Sequence, residues 1–350
     1  MPQKRNGQLA TGAVIVMSLA AFFALFVLAL LLVQPLGILL ERSGDGGEER
    51  SLRALPPQPK GRSSQELDTA RPLHVLVDGA VVETNLADYL YSVVAAEMPA
   101  AFELEALKAQ AVAARTYTVN KLAVISPAHP HTDMCSDITC CQAYITPEQA
   151  RSNWGEHADF YEEKIRSAVA GTDGLVALYE GKAIDAVFHS SSSGSTLDAV
   201  SVWGGDVPYL KSVSSPEGIE VPGWEQENVF TREEARQRIT ARYPEAVLPD
   251  AMADWFTNWN RFPNGTVDHV TLGGVTLRGT QVRSLFGLRS AAFTVETGDA
   301  LRFSVRGYGH GVGMSQYGAN AMAKNGADFA AIIRWYYTGV DVDYLESEIR

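Results

Sequence analysis

The chain has 350 residues, 46% of them hydrophobic, and a formal net charge of −12. That balance argues against nucleic acid as a partner, since binding a phosphate backbone needs a clustered basic face. It is compatible with a neutral or cationic polysaccharide and with plain solubility.

Lys4 and Arg5 precede a stretch from Gly12 to Val33 that carries no charge, and the apolar character continues through Leu36, Ile38, Leu39 and Leu40. Roughly 20 apolar residues span a bilayer, whereas a cleaved signal peptide has a shorter apolar core and a small-residue cleavage site. Residues 12–40 are therefore expected to form one transmembrane anchor after a short cytoplasmic tail, 1–11. The basic residues ahead of the span place the N-terminus inside the cell membrane and everything after it outside. Residues 41–71 are polar, rich in Gly, Pro and charge, and lack periodicity, which predicts a flexible linker. Fully extended, it reaches on the order of 100 Å. Such a tether suits a domain that acts above the membrane, on a cell wall for example.

The external part, 72–350, opens with strand signals in LHVLVDG and AVVET. Helices follow at about 86–97 and 103–122, then a His- and Cys-bearing loop at 127–145 and a helix at 159–170 closed by Gly171. LVALY and AIDAVF read as a hairpin turning at Glu180 and Gly181. The segment 230–262, with Trp255, Phe256 and Trp259, reads as a helical, aromatic surface insertion. VDHVTL and AAFTVE are strands flanking a short helix at TQVRSLFG. A Gly-rich loop from Gly307 runs into another short helix, and a last helix from Asp328 ends near Gly339. Helices and strands are segregated, which predicts an α+β domain of helices and antiparallel strands around a cleft.

Within the first helix, Leu86, Leu90, Val93 and Glu97 fall on one side, with Asn85 as N-cap. Pro99 disfavours helical geometry at Met98, so Glu97 stands at the helix C-terminus. Desolvation and the negative end of the helix dipole both raise a carboxyl pKa there. A glutamic acid that keeps its proton near neutral pH is suited to general acid catalysis. Glycosidases normally use two carboxyls, and Asp133 and Asp137 are candidates for a second. A single carboxyl suffices when the sugar's own hydroxyl closes an internal ring.

Cys135, Cys140 and Cys141 lie close together. Cys135 and Cys141 can bridge in an oxidising compartment, or they can hold zinc with His129, leaving a fourth position for water. His189 begins the loop HSSSSGST, where Ser190 and Ser191 are hydrogen-bonding candidates. Tyr308 and His310 sit in the Gly-rich loop GYGHGVG, with Gln316 just beyond it. Neither a nucleophile elbow nor a dinucleotide fingerprint fits these loops.

Six separated segments occur in one order: VVAAEMP with EALKAQAVAARTY, DMCSDITCCQAY, FHSSSSGST, VWGGDVPYLKSVSSPE, GLRSAAF and GYGHGVGMSQYGANAMAKNG. Together they resemble the stage II sporulation protein D family of membrane-anchored peptidoglycan lytic transglycosylases, over about residues 72–345. The resemblance implies that Glu97 is acid and then base, cleaving between N-acetylmuramic acid and N-acetylglucosamine to leave a 1,6-anhydromuramoyl end. It implies a substrate stripped of stem peptides, a role in engulfment of the forespore, and as partners the sporulation amidase protein P and the membrane protein M. It places His189, Ser190, Ser191, Tyr308, His310 and Gln316 in sugar binding or the cleft lining, and Arg115 and Tyr117 on the neighbouring helix, where they either position Glu97 or sugar or serve packing. It maps a cysteine pair, near which some members bind zinc, onto Cys135 and Cys141. Where the family has threonine-histidine-cysteine, this chain reads Thr139-Cys140-Cys141. Relatives that enhance an amidase without cutting glycan supply a competing expectation, a binding module, and a zinc amidase or peptidase at the cysteine cluster is a third.

Overall fold

The computed structural model describes residues 67–123 and 126–345. The expected tail, the span 12–40 and the linker as far as residue 66 lie outside the described residues. Among those described, no helix is long and apolar enough to cross a membrane.

Strands β1 (Pro72–Val77) and β2 (Ala80–Asn85) form an antiparallel hairpin that turns at Asp78 and Gly79, both with positive φ. It delivers Asn85 to the start of α1 (Leu86–Glu97), where the Asn85 side chain accepts the Asp88 amide at 2.9 Å. Leu86, Leu90 and Val93 are buried, as their spacing predicts. The helix stops at Glu97 because Met98, extended ahead of Pro99, is its C-cap. Helix α2 (Leu104–Leu122) lies against α1, α4 (Ala158–Ala170), α8 (Gln316–Lys324) and α9 (Phe329–Tyr336). Its buried Ala106, Ala109, Ala111, Ala113 and Ala114 let so many neighbours approach closely.

Between α2 and α4 the chain forms β3 (Met134–Cys135), parallel to β1, and α3 (Pro147–Trp154). Helix α3 went unread in the sequence although its capping box, Thr146 with Gln149, is a local start signal. Strands β4 (Val176–Tyr179) and β5 (Lys182–Ala183) make the expected hairpin, with Glu180 and Gly181 at positive φ, and β14 (Asp341–Asp343) completes their sheet. Strand β6 (Phe188–His189) pairs in parallel with β13 (Met314–Ser315), which ties the serine loop to the start of α8. The short α5 (Ala199–Trp203) follows that loop.

A second core occupies the segment 225–306. It contains β7 (Glu225–Thr231), α6 (Arg232–Arg242), β8 (Phe256–Arg261), β9 (Val267–Leu272), β10 (Val275–Arg278), α7 (Gly279–Phe286), β11 (Phe293–Thr297) and β12 (Ala300–Arg306). Two three-stranded antiparallel sheets, in orders β10-β9-β8 and β11-β12-β7, enclose Trp255, Phe256, Phe286, Phe293 and Phe303. This corrects the expected helical surface insertion at 230–262, of which only 232–242 is α-helical. The helix-like spacing of Phe256 and Trp259 comes from a register shift in β8 around Asn258, which has φ 50°. Such an irregularity brings onto one face two residues that a regular strand would put on opposite faces, and their rings stack at 5.8 Å. The α+β reading otherwise holds, with a mixed sheet where β3 pairs in parallel with β1 and a two-stranded parallel one at β6 and β13.

The fold also begins earlier than expected. Asp68, within the predicted linker, is buried and accepts two hydrogen bonds from Arg115, at 2.9 Å from Nε and 2.6 Å from Nη2. Asp173 in turn accepts the amides of Leu67 and Asp68 at 3.0 and 2.9 Å. Residues 67–71 therefore belong to the domain.

Candidate active-site cleft

Glu97 opens onto a cleft of about 410 Å³ lined also by Trp154, Ser190, Ser191, Arg289, Tyr308 and Gln316. Chain segments far apart in sequence make it: the end of α1, the end of α3, the loops that β6 and β13 align, the stretch 221–223 and the turn before β11. Glu97 Oε1 accepts the Ala143 amide at 2.9 Å, and the Gln316 side chain donates to the same carboxyl group. Burial outweighs both hydrogen bonds and raises the Glu97 pKa above the usual carboxylate range. The expectation was desolvation plus helix dipole; desolvation is the leading cause.

Among the described residues lining the cleft, Glu97 is the one carboxyl. Neither candidate second acid joins it. Asp133 is bound to the His74 amide at 2.7 Å, and Asp137 accepts the Thr139 amide at 2.8 Å on the exposed cysteine loop.

The buried Glu217, which the sequence did not single out, holds the cleft wall together. It accepts the Ser192 amide at 2.6 Å and hydroxyl hydrogen bonds from Ser215 and Ser315. Ser315 caps α8 by accepting the Gly318 amide at 3.2 Å, and so fixes Gln316 beside Glu97. Gly318 leaves room for this cluster, since a Cβ there would lie 2.6 Å from Glu217 Oε2 and 2.0 Å from the Tyr336 hydroxyl.

Of the expected sugar-binding residues, Ser190, Ser191, Tyr308 and Gln316 line the Glu97 cleft. Arg115 does not. Its guanidinium is 1% exposed, faces Asp68, and donates to the Leu175 and Val169 carbonyls at 3.1 and 3.3 Å. An arginine on a helix buried all round can end only in the core, and there it needs a carboxylate partner. Tyr117 points toward the cysteine loop, donating to the Cys140 carbonyl at 3.3 Å.

His189 is also a support. It is buried, donates from Nδ1 to the Val312 carbonyl at 3.2 Å, and accepts the Ser192 hydroxyl at Nε2, 2.8 Å away. Burial lowers its pKa to about 3, so it stays neutral and braces the serine loop from behind. His310 accepts the Val312 amide at Nδ1 and donates from Nε2 to the Phe188 carbonyl, and burial lowers its pKa to about 4. It lines a separate slot of about 30 Å³, too small for a sugar ring. The cleft residues that sequence reading missed, Trp154 and Arg289, carry no motif of their own. Arg289 stands inside the segment GLRSAAF, and that position was the available signal.

The cysteine loop gathers four donors. His129, Cys135, Cys140 and Cys141 place one ligand atom each within 4.8 Å of one another. His129 donates from Nδ1 to the Thr132 carbonyl at 3.0 Å, which leaves Nε2 as a lone pair 3.3 Å from Cys141 Sγ. A neutral imidazole fixed through its other nitrogen is how histidine is prepared as a metal ligand. None of the three cysteines is in a disulfide, so the bridge between Cys135 and Cys141 is not formed. Cys140 joins the expected set as a fourth donor.

A family model described as stage II sporulation protein matches residues 78–179, which contain Glu97 and the whole cysteine cluster. Over 315 residues the chain is 34% identical to stage II sporulation protein D of Bacillus subtilis (strain 168), across 89% of this chain and 90% of that protein. It is 36% identical over 285 residues to stage II sporulation protein D of Bacillus amyloliquefaciens, across 81% of each. The amidase enhancer of Bacillus subtilis (strain 168) is 27% identical over 301 residues, across 71% of this chain and 39% of that protein. With relatives matched along most of both lengths, the chain belongs to the stage II sporulation protein D family, a family of sporulation proteins.

Proposed function

We propose that this protein is a lytic transglycosylase that cuts peptide-stripped peptidoglycan strands between N-acetylmuramic acid and N-acetylglucosamine. The carrying observation is a single desolvated carboxyl in a cleft lined by hydroxyl, amide and aromatic side chains. Protonated Glu97 gives its proton to the glycosidic oxygen as the C1–O bond breaks. The C6 hydroxyl of the muramic acid then attacks C1 and returns a proton to the Glu97 carboxylate, which closes the 1,6-anhydro ring and restores the acid. The Ala143 amide and the Gln316 side chain stabilise the carboxylate formed midway. Water and a second carboxyl, required for hydrolysis, have no part in this route.

The cysteine cluster fits zinc. His129, Cys135, Cys140 and Cys141 would hold the ion with four protein ligands, and a closed set of this kind would support structure instead of supplying a reactive water. The loop it would brace carries Ala143, two residues past Cys141, and hence the amide on Glu97. An amidase or peptidase centred on the metal lacks its open position. The protein acts from the outer face of the cell membrane on an anchor at 12–40, during engulfment, after the sporulation amidase protein P has removed stem peptides and together with the membrane protein M.

The amidase-enhancer relative favours one competing reading, a glycan-binding module without chemistry. Mass spectrometry of peptide-free strands incubated with the full-length chain, beside Glu97→Gln, separates the two. Anhydromuramoyl ends from the wild type, with a loss of about a thousandfold in the variant, are expected. Reducing ends would mean hydrolysis, and uncut strands that still bind would mean a binding module. Because the acid must be protonated, the rate should fall as pH rises through the elevated Glu97 pKa.

A further inference from the structure

Among the described residues lining the cleft there is one cation. Arg289 lines the same space as Glu97, half-buried, and no acidic side chain among the described residues pairs with it. It is held in position without being neutralised. Nη1 donates to the Gly223 carbonyl at 3.1 Å, and the guanidinium sits 5.2 Å from the centroid of the Tyr308 ring. The Arg289 carbonyl accepts the Gly309 amide at 3.0 Å, so its backbone is fixed as well. Gly223, at φ +68°, makes the seat possible, because a Cβ there would stand 2.9 Å from Nη1.

A guanidinium carries five donors in a rigid fork, and the bonds above use only part of them. An arginine that lines a cleft, held by a carbonyl and an aromatic face and lacking an acidic partner, is prepared for an anionic ligand. Glu97 shares the cleft but makes no ion pair with Arg289, and burial raises the Glu97 pKa. A carboxylate arriving with the ligand therefore meets a cation that no acidic side chain among the described residues pairs with. Muramic acid brings one. Its lactyl side chain ends in a carboxyl group that is a neutral amide while the stem peptide is attached and becomes a carboxylate once the peptide is removed.

We infer that Arg289 binds the lactyl carboxylate of a muramic acid residue in the cleft and so makes the protein selective for peptide-stripped glycan. The inference rests on the reading of that glycan as substrate. Charge at the lactyl position distinguishes the processed strand from its precursor, and Arg289 is the cleft residue equipped to read it. Tyr308, stacked on the guanidinium, keeps the fork in place.

The test compares peptide-free strands with the same strands after methyl esterification of their lactyl carboxylates. Binding is measured with the full-length Glu97→Gln chain, which does not consume its ligand, alone and combined with Arg289→Gln or Arg289→Lys. Esterification should weaken binding to the Glu97→Gln chain by about ten- to hundredfold, the worth of one charge-assisted pair. Arg289→Gln should bind native strands at that weakened level and be indifferent to esterification. Arg289→Lys, which keeps the charge without the fork, should fall between them and remain sensitive, which separates loss of recognition from collapse of the loop. Equal sensitivity to esterification with and without Arg289 would overturn the inference, as would native strands that bind no better than esterified ones. Failure of the wild-type chain to cut strands whose binding depends on Arg289 would reject the lytic reading alone.

Discussion

The two cores are built by different means, and the cleft takes a different kind of residue from each. The larger core is helical and alanine-rich around α2, and its buried charges, Arg115 with Asp68 and Glu217 with its hydroxyl and amide donors, are fully partnered. The smaller core packs aromatic rings between two antiparallel sheets, with Phe303 in edge or tilted contact with Phe230, Phe256, Phe286 and Phe293. The larger one supplies the acid, Glu97, on the last residue of a helix. Arg289 comes from the edge of the smaller one, directly after its core residue Leu288. A rigid helical body can hold a desolvated carboxyl whose proton affinity depends on its surroundings. The turn that leads into β11 leaves a cation without a carboxylate neighbour among the described residues, open to a ligand.

Removing the centre of either core tests that contrast most severely. Arg115→Ala strands the buried Asp68 carboxylate and should cost about 3–5 kcal/mol, read by urea denaturation, while strand affinity of the folded protein stays unchanged. An affinity loss in folded protein would return Arg115 to the cleft. Trp255→Ala should cost a similar amount, about 3–5 kcal/mol, through the cavity it leaves. A single transition in both variants would mean the cores unfold together; two transitions in one of them would divide the protein into separately stable parts.

A finer variant, Gly318→Ala, presses a methyl group against Glu217 and Tyr336. Overpacking of this kind costs about 1–3 kcal/mol. Because Glu217 also positions the serine loop and α8, the same change should lower strand cleavage further than the unfolded fraction accounts for. Cleavage that merely tracks the folded fraction would show that the clamp serves stability alone.

The most gradual effect is in pH. His189 and His310 have folded pKa values of about 3 and about 4, below the usual value near 6.5. Between those limits the unfolded chain binds more protons than the folded one. Stability is therefore fully present above about pH 6.5 and declines as pH falls, by about 1.4 kcal/mol per pH unit for each histidine. His189→Asn should remove about half of that slope between pH 6 and 5, followed by thermal unfolding. An unchanged slope would place the acid sensitivity elsewhere.

Local signals set what the sequence could disclose. Asn85, the apolar spacing of Leu86, Leu90 and Val93, and the stop imposed by Pro99 lie within one helix, so the position of Glu97 at its end was legible before any contact was known. The hairpin at Glu180 and Gly181 and the grouping of His129, Cys135 and Cys141 likewise arise within short stretches of chain, while the part of Cys140 as a fourth donor came only from the structure. Trp255, Phe256 and Trp259 misled because a strand irregularity copies helical spacing, and sequence periodicity has no signal for which of the two is present.

Other features depended on residues far apart in the chain. Arg115 lies on a helix whose alanines bury it on every side, so its direction was decided by Asp68, which the sequence placed in a linker. His189 and His310 sit in loops that look made for ligands, yet the pairing of β6 with β13 turns both toward backbone carbonyls. Gln316 and Arg289 reach Glu97 from distant segments, and nothing local marks either as a partner. The sequence by itself determined the helix that ends in an acid and the loop that collects thiols, because caps, periodicity and short spacings act within a few turns of chain. Only the tertiary structure decided which charges are neutralised in the core and which one is left facing the cleft, because pairing and desolvation depend on what long-range packing brings alongside.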